Sequence, residues 1–216
     1  MDNGRISVKL GPSQAAVDEA LEALAAAQVV PRLWAKDHRL WKEDPREISN
    51  RLGWLTVIEE MKSQLPCVTD LAREIRAEGV TDVVLLGMGG SSLGPEVLRC
   101  TFGSARGFPR LHVLDSTVPS LVREITKTIR PAKTLFILAS KSGGTIEVMS
   151  LYAHFRALVA KTKGNRGGAQ FIAVTDPGTG LAALAQTQQF RATFVNPRTS
   201  VADIPCSRSL AWCRLR

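Results

Sequence analysis

Thr134-Leu-Phe-Ile-Leu-Ala-Ser-Lys-Ser-Gly-Gly-Thr-Ile-Glu147 is the stretch whose reading decides the fold. Thr134 to Ala139 is an apolar run of strand length that breaks abruptly into hydroxyl and glycine residues, and a helical pattern starts at Thr145. Strand, tight loop and helix start therefore follow one another. Gly143 and Gly144 let the backbone turn its N–H groups inward, and the following helix adds the positive end of its dipole. Ser140, Ser142 and Thr145 can donate to anionic oxygens, and Lys141 adds a positive charge. The same pattern also fits a plain strand-to-helix turn with Thr145 as N-cap.

Around this element the chain alternates strands and helices. Val83 to Leu86 is a strand, followed by Gly87-Met-Gly-Gly-Ser-Ser-Leu-Gly-Pro95 and a helix from Pro95 to Cys100. Leu111 to Asp115 is a second strand, with a helix from Pro119 to Ile129. The helix of the opening element runs from Ile146 to Val159. Phe171 to Thr175 is a fourth strand, ending in Asp176-Pro-Gly178 before a helix at Leu181 to Ala185, and Thr193 to Val195 is a short fifth. Continuous apolar strands separated by helices predict an α/β protein, a doubly wound parallel sheet with helices on both faces. Ligands in such a fold bind beyond the carboxyl ends of the strands, near the switch point of strand order.

The preceding residues read as a helical lead-in. An alanine-rich helix spans Pro12 to Val29 and is closed by Pro31. Leu33 to Lys42 carries Trp34, Trp41 and His38 among charges, a docked surface segment or an interface. From Pro45 an apolar stripe of Ile48, Leu52, Leu55, Val57, Ile58 and Met61 continues to an interruption at Pro66, and a helix from Thr69 to Ala77 stops at Gly79. The expected organisation is a lead-in over residues 1–65, the main domain over 66–197 and an atypical tail over 198–216.

The 216 residues suit one large domain or one domain with an appendage. No apolar run reaches membrane-spanning length and the N-terminus lacks a secretory pattern, so a cytoplasmic protein without a membrane partner is expected. Cys67, Cys100, Cys206 and Cys213 have no metal-ligand spacing and are too sparse for a disulfide scaffold. The net charge of +8 suits an anionic ligand, but its basic residues are scattered without an aromatic RNA motif, so no nucleic-acid partner is expected. Gly87 and Gly89 after a strand, with Asp115 ending the next, allow a dinucleotide-binding alternative; Ser92 at the third glycine position speaks against it.

Gly89-Gly-Ser-Ser-Leu-Gly-Pro95 and Ser140-Lys-Ser-Gly-Gly-Thr-Ile-Glu147, in this order and separation, resemble the two sugar-phosphate motifs of the glucose-6-phosphate isomerase family, within the sugar isomerase domain superfamily. Trp41 to Leu55 resembles the segment before that domain in bacterial fusions of transaldolase with the isomerase, and the resemblance spans roughly Leu33 to Pro197. It implies interconversion of glucose 6-phosphate and fructose 6-phosphate in glycolysis and gluconeogenesis, without metal or organic cofactor. By motif, Gly90 and Ser91 would contact the sugar phosphate, and Ser140, Lys141, Ser142, Gly143, Gly144 and Thr145 would cradle its phosphate. The resemblance leaves homodimerisation of the full-length family open. Moving a proton through an enediol needs a positioned base, and the family supplies it beyond the point matching Pro197. No catalytic residue is therefore assigned: Glu147 suits the helix dipole, and His112 and His154 suit structural roles. The chain reads as an isomerase by lineage, truncated, with a sugar-phosphate-binding module lacking turnover as the alternative.

Arg198 to Arg216 does not resemble what precedes it. It carries Arg198, Arg208, Arg214 and Arg216 against Asp203, with two cysteines, a tryptophan and no periodicity. The family pattern here would be Asn-Pro-Pro-Asp-Ile-Gly-Gly-Arg-Tyr-Ser. Codons CCC CGG ACA TCG GTG GCC GAT ATT CC for Pro197 to Pro205, read from the third base, spell Pro-Asp-Ile-Gly-Gly-Arg-Tyr-Ser. The expectation is a frameshifted tail, through loss of one C after Asn196.

Overall fold

The computed structural model describes residues 9–196; the tail, with the frameshift expected there, lies outside them. The chain divides into two compact units between Ile58 and Glu59. In the first, α1 (Gln14–Ala26) and α2 (Val29–Trp34) are joined through Gln28, whose φ of 51° breaks the expected single helix. Pro31 does not close α1. It lies in the first turn of α2, where the missing N–H would have had no partner in the helix. Leu52 and Leu55 are buried in a 3-10 stretch, Ser49–Leu55, in place of the expected continuous helix; Gly53 within it and the β-branched Thr56 after it are weak helix formers. Helix α3 (Val57–Lys62) carries the chain across the division.

The second unit opens with α4 (Leu65–Ala77), which begins four residues ahead of the expected Thr69. Pro66 initiates this helix instead of interrupting it, again because the first turn needs no donor. Five strands follow among the described residues: β1 (Asp82–Gly87), β2 (Arg110–Leu114), β3 (Thr134–Ala139), β4 (Phe171–Thr175) and β5 (Ala192–Val195). They form one sheet in the order β2-β1-β3-β4-β5, with every neighbouring pair parallel. Between them lie α5 (Gly90–Phe102), α6 (Pro119–Thr128), α7 (Ile146–Lys163) and α8 (Gly180–Thr187). The expected doubly wound α/β fold with a helical N-terminal segment is what the chain adopts.

Alternation along the strands feeds both faces. Val84, Leu86, Phe136, Leu138 and Ala173 point into a core with Val148, Leu151, Phe155 and Val159 of α7 and Leu181 and Ala185 of α8. Phe136 lies between Phe155 and Phe171, with ring centroids 4.9 Å and 5.1 Å away. On the other face Leu135 and Ile172 pack with Ile75 of α4, joined by Val83, Ile137 and Phe194. Burial on both sides is why these strands read as unbroken apolar runs. No helix among the described residues is long and apolar enough to cross a membrane.

Strand order reverses at β1, which has β2 on one side and β3 on the other. The register pairs Gly87 with Ala139, so the last residues of β1 and β3 sit side by side and their loops leave the sheet next to each other at the switch point, where such folds bind ligands.

Candidate functional site

The loop after β1 turns at Gly89, whose φ of 56° favours glycine. Its carbonyl accepts from the amides of Ser92 and Leu93, both at 3.0 Å, and from the Ser92 hydroxyl at 2.9 Å. These bonds start α5 at Gly90, five residues ahead of the expected Pro95, and leave Pro95 inside the helix. Gly90 is exposed and Ser91 half-buried, whereas Ser92 is buried beneath them. Close approach is built in, since a Cβ on Gly87 would stand 3.2 Å from Cβ of Ser91 and 3.4 Å from the Ala139 carbonyl oxygen.

The loop after β3 is held from within. Ser140 is buried; its amide donates to the Val174 carbonyl at 3.0 Å, and its hydroxyl accepts from the Gly143 amide at 3.1 Å and meets the Thr145 hydroxyl at 2.8 Å. Lys141, Ser142 and Gly144 are exposed, Thr145 is half-buried and Gly143 is buried with φ of 68°. The Gly144 amide donates to the Ser142 hydroxyl at 3.4 Å. Thr145 occupies the N-cap of α7, but its hydroxyl faces Ser140 and caps no helix amide. Gly89 at the head of α5 has no side chain with which to cap. Neither helix start has a side-chain cap; at α5 the amides of Ser91, Ser92 and Leu93 already donate to the Met88 and Gly89 carbonyls, and the dipoles of both helices favour negative charge at that end.

The structure brings together all the sequence-assigned residues: Gly90 and Ser91 at the end of β1, Ser140 to Thr145 at the end of the adjoining β3. It also adds a third loop that the sequence reading passed over as a strand end. The Asp176 amide donates to the Lys141 carbonyl at 3.2 Å, and Asn196 Nδ2 donates to Asp176 Oδ1 at 2.8 Å. Thr179 caps α8, accepting from the Ala182 amide at 3.3 Å. A threonine just ahead of an apolar helical run was the available signal.

The remaining candidates lie elsewhere or serve packing. Glu147 is exposed in the first turn of α7. His112 Nε2 is 2.9 Å from Asp82 Oδ1, toward the amino ends of β1 and β2, and His154 meets the Thr126 hydroxyl at 3.2 Å. His38 Nε2 is 3.0 Å from the Glu43 carbonyl. A hollow of about 390 Å³ under α4 is lined by Leu71, Ile75, Ile137, Ile172 and Phe194 among others. Its nearly apolar wall has little to offer an anion, so chemistry directs attention to the strand ends.

Fold and site together define an open, doubly wound α/β protein with two neighbouring glycine-and-hydroxyl loops at its switch point. Comparison with known proteins gives the lineage. The phosphoglucose isomerase family model matches residues 56–186, and the chain belongs to that family. It is 30% identical over 173 residues to glucose-6-phosphate isomerase of Rubrobacter xylanophilus, covering 76% of this chain and 38% of that protein. It is 32% identical over 158 residues to the Thermus thermophilus enzyme, covering 70% and 35%. Among solved structures, a Thermus thermophilus protein described as hypothetical superposes with a TM-score of 0.60 at 30% identity, over 84% of this chain and 41% of that one. Glucose-6-phosphate isomerase of Chlamydia trachomatis shares the fold, with a TM-score of 0.58 at 23% identity over 77% and 31%. The chain thus spans well under half the length of these relatives.

Proposed function

We propose that this chain is the sugar-phosphate-holding part of a glucose-6-phosphate isomerase, binding glucose 6-phosphate and fructose 6-phosphate between the loops after β1 and β3. The observation that carries the proposal is the convergence of two helix starts without side-chain caps, and of the hydroxyl-bearing residues Ser91, Ser142 and Thr145, beyond the adjacent strand ends Gly87 and Ala139. The Ser142 and Thr145 hydroxyls, the Gly144 amide and the first turn of α7 receive the phosphate, with Lys141 adding charge. Ser140 and Gly143, already bonded to each other, hold the loop in shape. Gly90 and Ser91, at the start of α5, face the sugar phosphate from the other side.

Residues 66–197 form the sugar isomerase domain, residues 1–65 its lead-in, and the protein works in the cytoplasm, where its substrates are. Isomerisation moves a proton between adjacent sugar carbons and needs a base within reach of them. No described residue is assigned that role, because Glu147 is better explained by the helix dipole and the histidines by packing. The chain alone therefore binds without turning over. No cofactor enters the scheme, and homodimerisation belongs to the longer form.

Calorimetric titration with fructose 6-phosphate, beside fructose, tests the proposal. Saturable binding of the phosphorylated sugar alone is expected, with no isomerase rate in a coupled assay. A folded chain that gives no heat with fructose 6-phosphate refutes the binding site. A turnover on the order of 10 per second refutes the assignment of holding without chemistry.

A further inference from the structure

The loop after β4 is tied to the loop after β3 by contacts that the proposed function does not use. The Thr179 hydroxyl caps α8 and lies 2.8 Å from the Thr175 hydroxyl. Thr175 is the last residue of β4 and is fully buried. Gly143 sits against this side chain: a Cβ there would be 2.5 Å from Thr179 Cβ, 2.7 Å from its Oγ1 and 3.1 Å from the Leu181 nitrogen. The bond from the Asp176 amide to the Lys141 carbonyl joins the same two loops a second time.

We infer that Thr179 is a positioning residue for the candidate sugar-phosphate site: fixed by Thr175 and by the first turn of α8, it seats Gly143 and so sets the loop from Ser140 to Thr145. The ligand in this inference rests on the proposed function; the seating is a property of the loop itself. A hydroxyl that accepts from the Ala182 amide and is hydrogen-bonded to the Thr175 hydroxyl has few orientations left, so the atoms beneath Gly143 are held in place. Gly143 in turn directs its amide to the Ser140 hydroxyl, which meets Thr145. Thr179 thus acts on a bound phosphate through Gly143, Ser140 and Thr145 without touching it.

Thr179→Val keeps the branched shape but removes the cap and the bond to Thr175; Thr179→Ser keeps the hydroxyl and removes only a methyl. Two readouts apply to both variants and to the unaltered chain: affinity for fructose 6-phosphate by calorimetry, and amide hydrogen exchange at Gly143 by NMR. Thr179→Val is expected to weaken binding about tenfold and to speed Gly143 exchange about tenfold, while Thr179→Ser restores both to within about twofold. Unchanged affinity and unchanged Gly143 exchange in Thr179→Val would overturn the inference. So would exchange accelerated equally throughout residues 59–196, which is loss of stability and nothing more specific. If the unaltered chain does not bind fructose 6-phosphate, the proposed function fails, and Gly143 exchange alone then decides the seating.

Discussion

Gly143→Ala is the substitution for which the structure yields the clearest magnitude. Gly143 has φ of 68°, and an added Cβ would stand 2.5 Å from Thr179 Cβ, a side chain anchored at the head of α8. Holding an L-residue in the left-handed region costs about 1–2 kcal/mol. Relieving the overlap by shifting loop or helix costs about 1–3 kcal/mol more, and reduced freedom of the unfolded chain returns about 0.4–1 kcal/mol. The expected loss is about 1–5 kcal/mol of unfolding free energy, centred on about 3. Two other glycines separate these contributions. Gly178 has φ of 75° with nothing within 4 Å of an added Cβ, so Gly178→Ala should show only the conformational cost, about 1 kcal/mol. Gly144 has neither a positive φ nor a neighbour within 4 Å, so Gly144→Ala should be neutral to within about 0.5 kcal/mol. Urea denaturation followed by circular dichroism ranks the three. Equal midpoints for Gly143→Ala and Gly178→Ala would refute the claim that the loop is pinned against α8.

Thr145→Val removes the hydroxyl that meets Ser140 at 2.8 Å and should weaken fructose 6-phosphate binding by about 1–3 kcal/mol; unchanged calorimetric affinity would exclude Thr145 from the site. Burial raises the pKa of the Asp82 carboxyl, but hydrogen bonds from His112 and Thr81 and the charge of Arg110 outweigh it and leave the net value lowered. A lowered folded value stabilises the fold above the unfolded pKa of about 3.9 and is lost as pH falls through the folded value, so Asp82→Asn should flatten the acid limb below about pH 4. An unchanged difference in urea midpoint between about pH 6 and about pH 3 in that variant would contradict this. Sequencing the gene across the codons for Asn196 to Arg198 tests the frameshift: the alternate frame should continue as isomerase sequence, and an early stop there would make the tail genuine.

What was legible in the sequence divides by the range of the interactions involved. Strand β3 was read with its observed bounds and β1 to within a residue at each end, because strands covered on both faces are near-continuous apolar runs. The loops after β1 and β3 were legible because glycines and hydroxyls at strand ends have few structural uses other than turning the chain and meeting a ligand. Proline was misread three times, twice for one reason. Its effect depends on whether the amide it replaces would have been bonded, and Pro31 and Pro66 both fall in first turns where it would not. Pro95 lies farther inside α5, which starts earlier because the Gly89 carbonyl collects three donors. The contact between Gly143 and Thr179 was beyond any local pattern. It exists because β4 lies beside β3, placing the start of α8 against the earlier loop, and a pairing across 36 positions leaves no periodic trace. Ser140 shows the same boundary within a single motif. Its residue type suits a phosphate contact, but only the folded loop turns its hydroxyl toward Gly143 and Thr145, so the motif supplied the groups and the tertiary structure assigned their directions.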